Sequence, residues 1–417
     1  MKKKIAIIGG GISGIVAAEI LSRYHEVELL EKCSSLGGHT KTISVKEEQQ
    51  TLPIDIGFIV FNNKTYPNFT KFLSKLSVES LSSSMSFSVS NPKIDFEYNG
   101  SSISQLFGQK KNLLRIKFYS MLYEILRFSK IITKEFSHLS SNETVNDFFS
   151  RYTFKKSFLD HYLYPISCSI WSATSQSFIN YPIKLVASFL IQHGMLSIND
   201  RPLWQVVKGG SSTYVRKWEK SFKGKILLNS KIKNVKRIRE NNTLKIAIST
   251  HTENRLYDHI VFACHSDEAL KTLVTPTQNE RTFLNAFPYE KNSVTLHTCA
   301  KFMPKRRKLW GSWNFLSSDS KPKLTYYMNM LQSLETNIDY FVTLNSSHEI
   351  KENDKIYECE MSHPQFTKES YIYQNEDFHL SHEGISYCGA YLGYGFHEDG
   401  VKSALNVCKK LVKDGNI

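Results

Sequence analysis

Residues 3–14 read Lys-Lys-Ile-Ala-Ile-Ile-Gly-Gly-Gly-Ile-Ser-Gly, and the class of fold is decided there. The run Ile5 to Ile8 is wholly apolar, as a parallel strand buried on both faces should be. Gly9, Gly11 and Gly14 follow at G-x-G-x-x-G spacing, and IVAAEILSRY then carries apolar residues at helical intervals. A second apolar run, Val27 to Leu30, ends on Glu31. Strand, glycine turn, helix, strand and acid together suit a dinucleotide. Gly9 makes the tight turn, Gly11 lets backbone approach a pyrophosphate, and Gly14 lets helix pack on strand. The helix start, Ile12 and Ser13, offers free N–H groups to phosphate, and Glu31 accepts the ribose hydroxyls. Glycines alone would mark a turn; the ordered set weighs against that plainer reading.

The next segment narrows the cofactor. After Glu31 the chain reads Lys32-Cys33-Ser34-Ser35-Leu36-Gly37-Gly38-His39-Thr40, and Asp55-Ile56-Gly57-Phe58 comes later. A Gly-Gly pair so soon after the ribose acid has no task in a nicotinamide dehydrogenase. It resembles the extended fingerprint of the FAD-binding amine oxidase and phytoene desaturase superfamily, in which a second glycine turn runs along the flavin side of the pyrophosphate. The resemblance implies FAD, with Lys32, Gly38, His39 and Thr40 beside it and Asp55, Gly57 and Phe58 where the chain passes the flavin. A surface turn and an ordinary strand end are the alternatives.

At 417 residues the chain exceeds one ordinary domain, so two interleaved domains are expected. Its seven cysteines show no paired or CxxC spacing, which suggests reduced thiols and no metal site. No uncharged apolar run approaches the ~20 residues of a spanning helix, and no signal-peptide pattern precedes the first strand. The expected location is cytoplasmic, soluble or peripheral at the inner membrane face. A net charge of +14 could serve nucleic acid, anionic lipid or solubility. No helix-turn-helix, zinc-finger or RNA-binding signature is present, so no nucleic-acid partner is expected.

Further along, Ser82 to Asn91 alternates polar and apolar residues as an exposed-edge strand would. Residues 112–136 form one or two amphipathic helices. Their apolar side either packs on a substrate domain or lies on anionic membrane, with Lys110, Lys111, Arg115 and Lys117 near phosphates. Trp171 and His193 suit either a cavity wall or a core, with core favoured for His193. VVKGGSS (residues 206–212) opens a helix, and Lys231 to Ile238 reads as turn and strand. KFMPKRRK (301–308) is the densest basic cluster, and Trp313 follows it. Residues 326–332 and 340–345 look like strands, and His363, before a proline, is expected in a turn. Near the end, Gly389 to Gly400 deliver glycines to the start of a helix running to Lys413, whose dipole suits negative charge on a reduced flavin.

Taken in order, GGGISG, LGGHTKT, DIGFIVFN, IWSA, VVKGGSSTYV, DHIVFACHSDEAL, SHPQF and GAYLGYGFHEDG span nearly the whole chain. They resemble a bacterial group of predicted FAD/NAD-binding, amine-oxidase-like proteins, similar to the flavoprotein domain fused ahead of plant cyclopropane fatty acid synthases. The resemblance implies an α/β fold: a Rossmann-like, glutathione-reductase-like FAD-binding domain (1–85, 203–290 and 376–417) interleaved with an α+β, amine-oxidase-like substrate domain (86–202 and 291–375). It implies cofactor contacts at Val235, Gly389, Gly400 and Val401. It also implies hydride transfer between flavin N5 and a carbon of a lipid or other apolar substrate. Trp171, Trp313, Tyr326, Tyr391 and Phe396 are then the expected substrate walls, with His397, Glu398 and His363 as proton-handling candidates. His397 packing against the flavin is an equal alternative. Other readings are an amine or polyene oxidase, or a non-catalytic flavin-holding partner of a lipid-modifying methyltransferase. Two departures stand out. Ala390 and Tyr391 follow Gly389 where an acid is usual, with Glu398 or Asp399 as substitutes, and Cys299 stands where an acid was expected.

Overall fold

Ile5, Ala6 and Ile7 are completely buried, and their side chains alternate between two different cores. They lie in the central strand of a five-stranded parallel sheet, ordered Lys225–Leu227, Glu26–Leu30, Lys4–Ile8, His259–Phe262, Ile385–Tyr387. Ile5 and Ile7 pack against the helices Ile12–Leu21, Ser212–Ser221 and His397–Leu411. Ala6 and Ile8 pack against the antiparallel meander Asn234–Glu240, Thr243–Ser249, Asn254–Tyr257 and the helix Gln278–Asn285. A strand covered on both faces needs an unbroken apolar run, and 5–8 supply one. The computed structural model describes residues 2–196, 202–240, 243–317 and 323–412; Lys413, expected to end the last helix, lies outside them.

A second, seven-stranded sheet runs Lys355–Pro364, Tyr289–His297, Phe341–Leu344, Lys323–Tyr327, Trp313–Leu316, Phe87–Asn91, Phe96–Asn99. Helices between 103 and 192 pack around an aromatic core that includes Phe128, Phe148, Phe158, Phe178 and Tyr181. Residues 116–135 form one helix, preceded by a 3-10 turn at Lys110–Leu114.

Three expectations are corrected. Phe87–Asn91 is not an exposed edge but pairs on both sides, and Ser88, Val89 and Ser90 are buried. Serines mimic an exposed edge in sequence, yet here they bond inward, the Ser88 hydroxyl donating to the Tyr98 carbonyl. The strand expected over 326–332 ends at Tyr327, where Met328–Leu331 turns helical and buries Met328 and Leu331. His363 belongs to the end of a strand, opposite Glu290, rather than to a turn.

Gly14 sits where the first helix crosses the first strand, and a methyl group there would collide with the carbonyl oxygen of Gly9. Gly14→Ala should therefore cost about 1–3 kcal/mol by overpacking, measured as a lower urea midpoint of the cofactor-free protein.

Candidate active site

The two sheets enclose a cavity of about 1560 Å³. A pocket for one small ligand is roughly 300–1000 Å³, so this one has room for a cofactor and a second molecule. Its floor is the glycine turn. Gly9 has φ +111°, and a Cβ there would lie 2.7 Å from the Ala263 carbonyl oxygen, which leaves the position to glycine. Gly11 differs: a Cβ there would meet nothing within 4 Å, so it borders open space. The helix beginning at Ile12 has no side-chain cap and no acid in its first turn. Its N–H groups and the positive end of its dipole are left for an anion.

At one end lie Glu31, Lys32 and residues 230–233. The Glu31 carboxylate accepts from the N–H groups of Gly10 at 2.7 Å and Cys33 at 2.9 Å. Lys32 is held by Glu268 rather than reaching toward the glycine turn. Val235 does not line the cavity. It is buried in the meander core, pairs with Ile248, and its carbonyl accepts from the Val274 N–H. Ile232, three residues earlier and ahead of the strand, lines the cavity instead. The sequence reading missed it because Val235 was carried over from the resemblance, and the cavity is met three residues earlier, ahead of the strand.

In the middle, Gly37, Gly38 and His39 meet Gly57, Phe58, Gly389 and Ala390. Three imidazoles gather here, His39 lying 5.3 Å from His363 and 5.7 Å from His265 between ring centroids. His39 donates from Nε2 to the Ser362 carbonyl at 3.1 Å, and His265 stacks on Tyr289. Burial, reinforced by mutual repulsion, holds the His39 pKa well below the ordinary imidazole value and brings His363 to about 4. His397 stacks on Phe58 at 3.6 Å and meets the hydroxyls of Tyr214 and Thr40 at Nε2, at 2.9 and 3.0 Å. Burial lowers its pKa to about 3.

Several expected site residues face elsewhere. Glu398 accepts from the N–H groups of Asn68 and Phe69 and so caps the helix Pro67–Lys75; it does not line the cavity. Asp399 accepts from the N–H groups of Tyr394 and Phe396, closing its own turn, and so does not replace the missing acid. Asp55 is buried behind the wall, tied to Ser211, Thr42 and Gln332, where it joins two segments rather than facing the cavity. Thr40, Gly14, Gly400 and Val401 are likewise outside the lining, and Gly400 packs against Ser13 and Ile12. Cys299, past the end of a strand, is also away from the cavity.

The other end is aromatic. Of the expected walls, Tyr391 lines the cavity nearer its middle, packed on Phe287, and Trp171, Trp313, Tyr326 and Phe396 line this end, joined by Phe189, Trp204 and Tyr394. His193 is there too, stacked on Phe189 at 3.9 Å with Nδ1 donating to the Phe189 carbonyl at 2.9 Å. Its apolar surroundings lower its pKa to about 4. The sequence reading favoured a core role for it, since a histidine in KLVASFLIQHGML looks like helix packing. Among the described lining residues the acids are Glu31, Asp267, Glu268 and Glu360. Glu31 is held by backbone, while the other three pair with Lys271, Lys32 and Lys291.

The donor set fits FAD: an open Gly11, an uncapped helix start, a ribose acid and a second glycine turn lie along one continuous cavity. The chain matches the family model of flavin-containing amine oxidoreductases over residues 12–337. It belongs to that family, and FAD is its cofactor. Among solved structures, it is similar to cyclohexylamine oxidase from Brevibacterium oxydans (14% identity, 99% of this chain and 100% of that one, TM-score 0.70). It is similar to putrescine oxidase bound to putrescine (12%, 99% and 99%, TM-score 0.70). It is also similar to a CLA-producing fatty acid isomerase from P. acnes (12%, 96% and 97%, TM-score 0.69). These likenesses establish the fold. No curated protein matches the sequence.

Two outcomes follow. Gly11→Ala should leave the cofactor-free protein within about 0.5 kcal/mol of wild type but weaken FAD binding at least about tenfold, read by quenching of flavin fluorescence. In the cofactor-free protein, His193, His363 and His397 bind protons less readily folded than unfolded. The stability they contribute is full above pH ~6.5 and is lost as pH falls toward their folded values. Burial pushes the Asp55 and Asp399 carboxyls up to about 6, which works the other way as pH falls from ~6 to ~4. The histidines outnumber them, so the urea midpoint should drop between pH 7 and pH 5, and Asp55→Asn should steepen that drop.

Proposed function

We propose that this flavin-containing oxidoreductase acts on a fatty acyl chain or a comparable apolar molecule held in the aromatic end of its cavity. One observation carries the reading: every acid among the described lining residues is already held by backbone or a lysine, and the substrate walls are aromatic and aliphatic. An amine arrives as a cation and wants a free carboxylate or a dedicated aromatic cage. An acyl chain wants an apolar tunnel. The fold alone does not choose, since it is shared with amine oxidases and with a fatty acid isomerase.

Bound FAD supplies hydride acceptance or donation at flavin N5. The chain's own residues do the rest. Gly9 to Ser13 hold the diphosphate, Glu31 and Ile232 the adenosine end, and Gly37 to His39 with Gly389 the flavin side. Trp171, Trp313 and Tyr326 exclude water and align the chain. His193, donating from Nδ1 to backbone, keeps Nε2 as a neutral acceptor beside the aromatic walls, where it can take a proton. His363 stands by the histidine cluster as a second proton-handling group.

The test is an anaerobic incubation of FAD-loaded protein with unsaturated or cyclopropane-bearing phospholipids and fatty acids, and separately with alkylamines. Flavin absorbance is followed and the extracted chains are analysed by gas chromatography. Acyl chains should emerge with a changed number or position of double bonds, and amines should leave absorbance unchanged. Bleaching by amines alone would overturn the reading. His193→Phe should retain bound FAD while kcat drops about 10²-fold or more.

A further inference from the structure

The helix Ile116–Glu135 has two apolar faces, and the fold uses only one. Phe118, Met121, Phe128 and Ile132 are buried. On the opposite side Ile116, Tyr119, Tyr123 and Leu126 recur every three or four residues, and all are exposed. The preceding turn adds Leu113 and Leu114, with Leu114 89% and Ile116 86% accessible to solvent. Ile103, one short helix earlier, is 78% exposed. Single exposed apolar residues need no explanation, but a contiguous stripe of this kind marks an interaction face.

Its rim is cationic. Lys110, Lys117, Lys130 and Lys134 are exposed and, among the described residues, have no acidic partner. The acids nearby are already engaged: Asp95 with Lys111, Glu124 with Arg127, Glu135 with Arg151. The fold also brings in the other basic cluster, nearly 200 residues away in sequence. Gln105 donates to the Lys308 carbonyl, and Gly108 packs on Leu309, so the exposed Lys305 and Lys308 flank the same segment. The cavity reaches the surface next to it. Gly100 and Ser101 are exposed, line the cavity and immediately precede the Ile103 helix.

We propose that this face docks on an anionic phospholipid surface, with Leu113, Leu114 and Ile116 entering the acyl boundary and the lysines resting among the phosphates. Apolar insertion plus basic rim is the chemistry that such a surface recognises. No described helix is long and apolar enough to cross a membrane, so the contact is from one side. The mouth at Gly100–Ser101 then opens toward the lipid. The proposal stands whatever molecule fills the cavity.

The test is co-sedimentation of the full FAD-loaded chain with vesicles of phosphatidylcholine alone or mixed two to one with phosphatidylglycerol. Wild type should pellet with the mixed vesicles, and raising salt should release it. Each lysine among 110, 117 and 130 changed to glutamine should weaken binding about fivefold. Leu114→Ser/Ile116→Ser should abolish pelleting while keeping the flavin spectrum that reports an intact fold. Equal binding to neutral vesicles, or undiminished binding by these variants, would overturn the proposal. So would a concentration-dependent dimer that dissociates on Leu114→Ser/Ile116→Ser, because the face would then belong to a second copy.

Discussion

The site depends on a cradle of peptide N–H groups that must be rigid yet left unpaired, and Glu31 makes that possible. Side chains cannot brace the glycine turn from within. Instead the Glu31 carboxylate grips the Gly10 N–H, while the Gly37 N–H donates to the Gly10 carbonyl and the Gly9 N–H to Leu30. Glu31 thus ties the first glycine turn to the end of the second strand, and the Gly10 carbonyl ties it to the second glycine turn. The open N-terminus of the helix at Ile12 is held in place without any group capping it. A helix start left bare in this way offers its N–H groups and dipole to diphosphate.

From that anchor the cavity changes character along its length. The adenosine end is polar, and there Lys32 pairs with Glu268. The middle gathers His39, His265 and His363, each kept neutral near pH 7 by burial. The far end is aromatic. On the proposed reading, a diphosphate and an apolar molecule share one space, and their environments are separated in this order. The large redox step belongs to FAD, so the protein needs few catalytic side chains and many positioning ones.

The nucleotide half was legible in sequence because its constraints are local. Gly14 and Glu31 each answer a requirement set within thirty residues, and the parallel strands announce themselves as unbroken apolar runs. The site's other half was less legible because burial and direction are set by distant partners. Glu398 and Asp55 looked like site acids, yet each spends its oxygens on backbone brought from elsewhere in the fold, at Asn68 and Ser211. Val235, carried over from the resemblance, lies within the strand, whereas the residue that lines the cavity, Ile232, precedes it. His193 reads as helix packing until Phe189 and Phe396 are seen to make its wall a cavity wall. The basic clusters around 110 and 308 were visible separately, and only the fold joins them.

The most direct measurement is a crystal structure of the FAD-loaded protein soaked with a brominated fatty acid. The account predicts diphosphate density over Gly11 and the start of the helix at Ile12, and an anomalous bromine signal between Trp171 and Trp313. Diphosphate bound away from Gly11, or bromine found only on the protein surface, would contradict it.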